Sequence, residues 1–358
     1  MEKENLADQK KIDEILIELD GTKNKSRLGA NAILPVSIAF CRAIASAKEI
    51  PLYHYIAELA EVRPPLILPK PSFNMIEGGK HVHSTNSPNQ SSLRSDATGQ
   101  VGQGGLAFQE FMVVPQKESF KENLEIGLKI YQKLKEILEE KYGRDAIKLS
   151  KEGAFSVPLK KITQALDLIL EAADKADFKN DIKFAIDAAA SSFFQNDRYK
   201  MNNKILGKEE LIGFYQNIIQ KYPIVSFEDP FEEEDFLGFP EVMEKMGDRL
   251  IIFGDDLLAS NVERIKIAHK KGTYNGLILK PNQIGTVTET IEAAKLTKSF
   301  GWKIMVANRA GETEDDFIAD LAVGIGVEFI KSGAPFPKER MVKYDRLVKI
   351  EEEMLARQ

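Results

Sequence analysis

The sequence predicts an α/β protein built on a β/α barrel of the TIM type, and two observations carry that expectation. Between Ile182 and Pro335 one plan repeats: a short apolar run, a charged or amide residue at its end, then an amphipathic helical segment. The runs are Ile182–Asp187 (IKFAID), Ile224–Glu228 (IVSFE), Leu250–Asp255 (LIIFGD), Gly276–Lys280 (GLILK), Lys303–Asn308 (KIMVAN) and Glu328–Lys331 (EFIK). Apolar runs too short for helices, separated by helical patterns, indicate parallel strands buried on both faces. The second observation is what closes the runs. In a barrel of this kind the strand C-terminal ends converge on one mouth, which here would hold Asp187, Glu228, Asp255, Lys280 and Lys331.

The rest of the chain is read in order. Residues 1–67 read as helices. Asp8–Leu19 carries an apolar face through Ile12, Ile15, Leu16 and Leu19, and Asp20-Gly21 stops it. Ala30–Ala47 follows, with Pro35 tolerable only near a first turn. Pro64-Pro65 and Pro69–Pro71 bracket a stiff linker. Then come FNMIEGGKHVH (Phe73–His83) and a tract, Ser84–Gly105, rich in Ser, Asn, Gln and Gly, which reads as a flexible loop. Gln109 and Glu110 fall in a predicted strand. A long helix over Phe120–Tyr142 has apolar Leu124, Leu128, Tyr131 and Leu138 on one side, and Gly143 stops it. Glu152 lies in SKEGAFSVP, a helix covers about Lys161–Lys175, and a last outer helix covers Lys338–Ala356. The acidic run Glu232–Asp235 suits a solvated helix start.

Composition bounds the function classes. At 358 residues and 43% hydrophobic content the chain can bury a large core. A net charge of -6 and a pI near 5.6 argue against nucleic-acid or membrane-surface binding that rests on bulk charge. The single cysteine, Cys41, rules out an internal disulfide and fits a reducing cytosol. The start MEKENLADQKKIDE is charged, without the apolar core of a signal peptide, and no apolar run is expected to reach membrane-spanning length. Three carboxylates and two lysines in one cavity are poor packing filler, because a buried charge costs several kcal/mol unless paired or bound to metal. Oxygen ligands from three carboxylates suit a hard cation, and Mg2+ accepts them with water and substrate oxygens.

Several segments then match a family. YPIVSFEDPF (Tyr222–Phe231), LKPNQIGT (Leu279–Thr286), NRAGETEDDFIADL (Asn308–Leu321), IKSGAP (Ile330–Pro335), LDGTKNKSRLGANAIL (Leu19–Leu34) and FQEFMVVP (Phe108–Pro115) closely resemble enolase, phosphopyruvate hydratase, in colinear order over nearly the whole chain. The resemblance implies a barrel of the enolase kind over residues 68–358, with a flexible insertion at 82–105, and a reduced, mainly helical cap over 1–67. The family pattern places a small sheet and a loop with a second-metal serine ahead of these helices. The implied activity is Mg2+-dependent removal of water from 2-phosphoglycerate to give phosphoenolpyruvate, in the cytoplasm, with small-molecule partners and a homodimeric assembly.

By motif position Lys280 would be the base, with Lys331 on the substrate carboxylate and its enolate form. Glu152 would be the acid that delivers a proton to the departing hydroxide, assisted by Glu110. Arg309 would grip the phosphate through its planar fork, with His81, Gln109 and Asn308 also lining the substrate. Asp187, Glu228 and Asp255 would hold the metal. Enolase-superfamily sites in general use a Lys or His base with one or two Mg2+. Three departures matter: Asn308 replaces a histidine, Ala310 replaces a phosphate-binding serine, and Lys151 stands before Glu152 where an acid is usual. Losing one hydrogen bond to a charged group costs roughly 1.5–3 kcal/mol, about one to two decades in binding or rate. Two readings follow: a hydratase with impaired activity, or a catalytically inactive enolase-like protein with a Mg2+-binding or protein-interaction role.

Overall fold

The six apolar runs become six consecutive strands of one ring. The computed structural model describes residues 8–79, 105–201, 204–232 and 238–357. Its strands are β1 (Lys70–Pro71), β2 (Phe73–Glu77), β3 (Glu110–Pro115), β4 (Lys148–Leu149), β5 (Phe155–Ser156), β6 (Ile182–Asp187), β7 (Phe194–Gln195), β8 (Arg198–Met201), β9 (Lys204–Leu206), β10 (Ile224–Glu228), β11 (Ile251–Gly254), β12 (Gly276–Leu279), β13 (Lys303–Ala307) and β14 (Phe329–Lys331). β6 and then β10 through β14 pair in order, each parallel to the next. β14 pairs in parallel with β1, which continues through Ser72 into β2. β2 pairs antiparallel with β3, and β3 antiparallel with β6, so the ring closes.

Alternation along these strands separates two apolar regions. Met112, Val114, Ala185, Phe253, Ile278, Met305, Ala307 and Phe329 pack inside the barrel. Their sequence neighbours, such as Val113, Phe184, Ile252, Leu277, Ile304 and Ile330, belong to the larger cluster shared with the helices. The β4–β5 hairpin extends from β2, and β7–β9 form a separate three-stranded sheet after β6.

Three helix details correct the sequence reading. In Gln9–Asp20 the buried side chains are Gln9, Asp13 and Asp20, whereas Ile15 and Leu19 are exposed and Ile12 and Leu16 only half-buried. The polar face is buried because it has work to do there: Asp13 Oδ2 accepts from Thr288 N at 2.9 Å, and Gln9 Nε2 donates to Asp13 and Ser37 at 3.1 Å. Ser37 Oγ in turn accepts from Val287 N at 2.9 Å, and Thr286 Oγ1 from Glu289 N at 3.1 Å. The first turn of the helix Val287–Ser299 is thus capped by side chains 250 and 275 residues away in sequence, which offsets its orphan N–H groups.

Second, Pro35 is the sixth residue of Ala30–Ala47, well inside the helix rather than at its start. Contrary to the expectation that no run reaches membrane-spanning length, this 18-residue helix has a mean hydropathy of 1.5 and is long and apolar enough to cross a bilayer. Its Ile33, Leu34, Ser37, Cys41, Ile44 and Ala45 are buried within the protein. Third, Leu128 in Phe120–Tyr142 is exposed. The buried stripe runs instead through Leu124, Gly127, Tyr131, Leu134 and Leu138, because Gly127 lies against the ring of Phe73.

That close approach yields a prediction. A Cβ at Gly127 would stand 2.4 Å from Phe73 Cε2, while one at Gly213, within Lys208–Lys221, would meet nothing within 4 Å. Gly127→Ala is expected to destabilise the fold by about 1–3 kcal/mol through overpacking. Gly213→Ala should stabilise it by about 0.4–1 kcal/mol through helix propensity and lost unfolded-state entropy. Thermal unfolding of the two variants beside the parent checks both signs.

Candidate active site

Ring closure decides which side chains meet. β6, β10, β11, β12 and β14 run in the same direction, so Asp187, Glu228, Asp255, Lys280 and Lys331 end or follow them at one mouth. β3 runs the opposite way, and its first residue, Glu110, therefore reaches that same mouth, opposite Asp187 on one side and Glu77 on the other. All seven side chains are buried.

Lys331 sits between two of these acids, with its Nζ 2.9 Å from Glu110 Oε2 and 2.6 Å from Glu228 Oε2. Lys280 is ion-paired with Asp255, whose other oxygen accepts from Gln283 Nε2 at 3.1 Å. Gln109 Nε2 donates to Asp187 Oδ2 at 3.0 Å, and the backbone N–H of Ala189 donates to Asp187 Oδ1 at 2.8 Å. Asp229 ties the ends of β10 and β11 together by accepting from the N–H groups of Asp255 at 3.1 Å and Asp256 at 2.9 Å.

Electrostatics separates the acids into two kinds. Burial pushes the carboxyls of Asp187, Glu228 and Asp229 well above the usual carboxylate range, and their mutual repulsion adds to it. Burial would raise Asp255 as well, but the charges of Lys280 and Lys331 outweigh it and hold that carboxyl below its ordinary value. Burial acts to lower both lysines, and the acids around them overcome it, Asp255 for Lys280 and Glu110 with Glu228 for Lys331.

The donor set fits a hard cation. One ligand oxygen each from Glu110, Asp187 and Glu228 lie within 4.8 Å of one another, as do those of Glu77, Glu110 and Glu152. Asp255 belongs to neither group among the described residues; it stands beside the first, and its charge acts on both Asp187 and Glu228. Glu228 Oε1 is buried without a hydrogen-bond partner. A lone carboxylate oxygen beside other acids, all oxygen donors, matches what Mg2+ or Ca2+ takes up and what softer metals do not favour.

Glu152 arrives by a different route. It occupies the turn of the β4–β5 hairpin, where Ser150 N donates to Ala154 O at 2.9 Å and Ser150 Oγ accepts from Glu152 N at 3.1 Å. Gly153 in this turn has φ +79°, and a Cβ there would lie 2.4 Å from Pro337, so glycine is required on both counts. The turn brings Glu152 beside Asn74, whose Nδ2 donates to Glu77 Oε1 at 2.6 Å and to Glu152 Oε2 at 3.4 Å. At the end of β13, Asn308 Nδ2 donates to Ser332 Oγ at 3.2 Å, and the Arg309 side chain is exposed.

Among the residues singled out in the sequence, then, eight meet around this mouth or flank it (Gln109, Glu110, Glu152, Asp187, Glu228, Asp255, Lys280 and Lys331), and Asn308 and Arg309 follow at its rim. His81 and positions 82–104 of the insertion lie outside the described residues, as does most of Glu232–Asp235. Sequence reasoning passed over Asn74, Glu77, Asp229 and Gln283. Glu77 carried the same signal as the others, an acid closing an apolar run, in FNMIE.

Comparison with known proteins agrees with this geometry. The enolase C-terminal TIM barrel domain matches residues 96–358, and the enolase N-terminal domain matches residues 1–56. Enolase B of Dictyostelium discoideum is 47% identical over 359 residues, covering 97% of this chain and 76% of that protein. With two family domains in order, a relative at this identity and a closed barrel bearing its acids and lysines at one mouth, the chain belongs to the enolase family of phosphopyruvate hydratase lyases.

Proposed function

We propose that this chain is a Mg2+-dependent phosphopyruvate hydratase that converts 2-phosphoglycerate to phosphoenolpyruvate, with weakened phosphate binding. The observation that carries the reading is the pair of buried lysines set among carboxylates: Lys280 against Asp255, and Lys331 between Glu110 and Glu228. A proton next to a carboxylate is very weakly acidic, so its removal needs a positioned base and fixed positive charge where the enediolate develops. Mg2+, held by Asp187, Glu228 and Asp255, would supply part of that charge as a Lewis acid. Support for a cation there comes from the unpartnered Glu228 Oε1 and the mutual repulsion of the acids.

The chain's own residues supply the rest. Lys280 is the base; its ion pair with Asp255 holds the proton on nitrogen, so that pair has to loosen before the amine accepts a proton from substrate. The ammonium of Lys331 favours the deprotonated form of Lys280 and faces the substrate carboxylate. Glu152, close to Glu77 and Glu110, is the acid toward the leaving hydroxide, since like charges at such range favour keeping a proton among them. Arg309, exposed at the rim, grips the phosphate, with Gln109, Asn308 and His81 completing the substrate contacts.

Two further parts of the reading go with this one. The chain divides into a helical cap at 1–67 and a barrel domain at 68–358. The protein works in the cytoplasm as a homodimer on small molecules. An inactive, cation-binding enolase-like protein is the alternative that a failed assay would leave.

Two experiments test the reading. Purified protein with excess Mg2+ and 2-phosphoglycerate is expected to produce phosphoenolpyruvate, measured by its absorbance; EDTA should abolish the activity and added Mg2+ restore it. Lys280→Ala should lose at least about a hundredfold in kcat, the range a positioned proton-transfer group contributes; a Lys280→Ala protein as fast as the parent would remove the base. In the second, Ala310→Ser should lower KM for 2-phosphoglycerate by about tenfold, the worth of one hydrogen bond to a charged group. An unchanged KM would sink the account of the weakened phosphate site.

A further inference from the structure

Arg340, in the first turn of the helix Lys338–Leu355, is fully buried, and among the described residues no carboxylate pairs with it. Its guanidinium donates instead to three backbone carbonyls: Nη1 to Arg309 O at 3.0 Å, Nη2 to Ala310 O at 2.7 Å and to Lys151 O at 3.1 Å. Nε has no hydrogen-bond partner. A buried cation without a counter-ion is costly, and an ordinary packing role would be met by an apolar side chain of similar volume. What distinguishes this residue is where its bonds go. One joins the hairpin turn immediately before Glu152, and two join the segment that presents Arg309.

The neighbouring turn of the same helix works alongside. Lys343 Nζ donates to Thr313 O and to Glu339 O, the latter at 2.6 Å, and Tyr344 OH accepts from Ser332 N at 3.0 Å while donating to Gly333 O at 2.9 Å. Each carbonyl held by Arg340 belongs to a loop outside the barrel strands, so strand pairing does not fix it. A planar fork of rigid N–H vectors sets two loops at a given spacing, which a rotating ammonium does not.

We propose that Arg340 is a positioning residue for the dehydration: by gripping Lys151 and Arg309–Ala310 through their carbonyls, it sets the distance between the proton-donating Glu152 and the phosphate-binding Arg309. The inference rests on the hydratase reading and deepens it. Substrate held by its phosphate then meets the acid at one fixed separation, and a displacement of about 1 Å between such groups costs up to about a hundredfold in rate.

The test uses Arg340→Lys, which keeps the charge but not the fork, in the full chain with Mg2+. Its kcat/KM for 2-phosphoglycerate is expected to fall by about ten- to a hundredfold, with KM rising. KM does not depend on the fraction of folded enzyme, so a merely structural role would leave it unmoved. Arg346, on the same helix as Arg340, is ion-paired to Asp320 of the helix Phe317–Ile325 and to Glu353, and Arg346→Met should lower the Tm and leave KM alone. Arg340→Ala should regain part of its activity in millimolar guanidinium chloride and none in equal sodium chloride. Parent-like kcat and KM in Arg340→Lys overturn the proposal whatever the Tm. So does an Arg340→Lys protein that does not fold, since the residue would then serve folding rather than spacing. An inactive parent enzyme is seen before any variant is made and overturns the hydratase reading, and this one with it.

Discussion

Everything at the barrel mouth depends on how buried acids are neutralised. Five carboxylates, those of Glu77, Glu110, Asp187, Glu228 and Asp255, lie buried at strand ends with two lysines, so the lysines leave a surplus of negative charge. Ion pairing in the low-dielectric interior repays desolvation only where geometry is good. Lys331 meets that condition twice and Lys280 once. The remainder, Asp187 with the open oxygen of Glu228, is the part a cation or retained protons must satisfy, and the upward displacement of both carboxyls expresses that unmet demand. An apolar mouth would make a more stable barrel. The arrangement makes sense as a site whose strain is relieved by binding.

Much of this was legible in the sequence, and the reason is geometric. In a parallel strand buried on both faces the inner side chains are mostly apolar, so the charged or amide residue that closes the apolar run marks the strand's end, although Lys183 and Lys303 lie exposed near the starts of theirs. Five of the mouth residues were found that way, and the observed strands differ from the predicted runs by no more than a residue at either end. Glu110 broke the rule because it starts its strand. Only the antiparallel direction of β3, which no local pattern encodes, turns a first residue into a mouth residue. Family likeness supplied it instead. Glu77 obeys the rule, but it closes a five-residue strand whose partners lie far along the chain, outside the repeating plan of the six runs.

The helical misreadings share one cause. Periodicity identifies a helix and suggests its apolar face, yet the buried face is whichever one the neighbours need. Gln9, Asp13 and Asp20 turn inward because unsatisfied N–H groups at the start of another helix, and in the turn after Asp20, require acceptors there. Gly127, lacking a side chain, carries no weight in a periodicity argument, although it lets a helix approach Phe73 and pushes Leu128 to the rim. Satisfying polar groups and fitting shapes are long-range demands, and a single segment does not display them.

Those same demands explain why the first described helices and the last one matter to a site whose acids and lysines lie outside them. The loop after β12 carries Lys280 and Gln283 and runs into the helix Val287–Ser299. Ser37 and Asp13 hold that helix's first N–H groups, and Lys25 Nζ reaches Glu289 at 2.8 Å while its stem packs on Gly285. The N-terminal helices therefore brace the turn that carries Lys280, as the C-terminal helix holds the segments at Lys151 and Arg309–Ala310. Barrel strands alone fix Glu77, Asp187, Glu228 and Lys331, which end theirs, and Glu110, which begins its own, to within the precision of a hydrogen-bonded ladder. Groups on loops have no such ladder, and a reaction that needs base, acid and phosphate clamp in one geometry requires the loops to be as firmly held as the strands. In this chain that firmness comes from backbone groups capped by distant side chains, and the segment Arg309–Ala310 is held through its carbonyls, which are indifferent to side-chain identity.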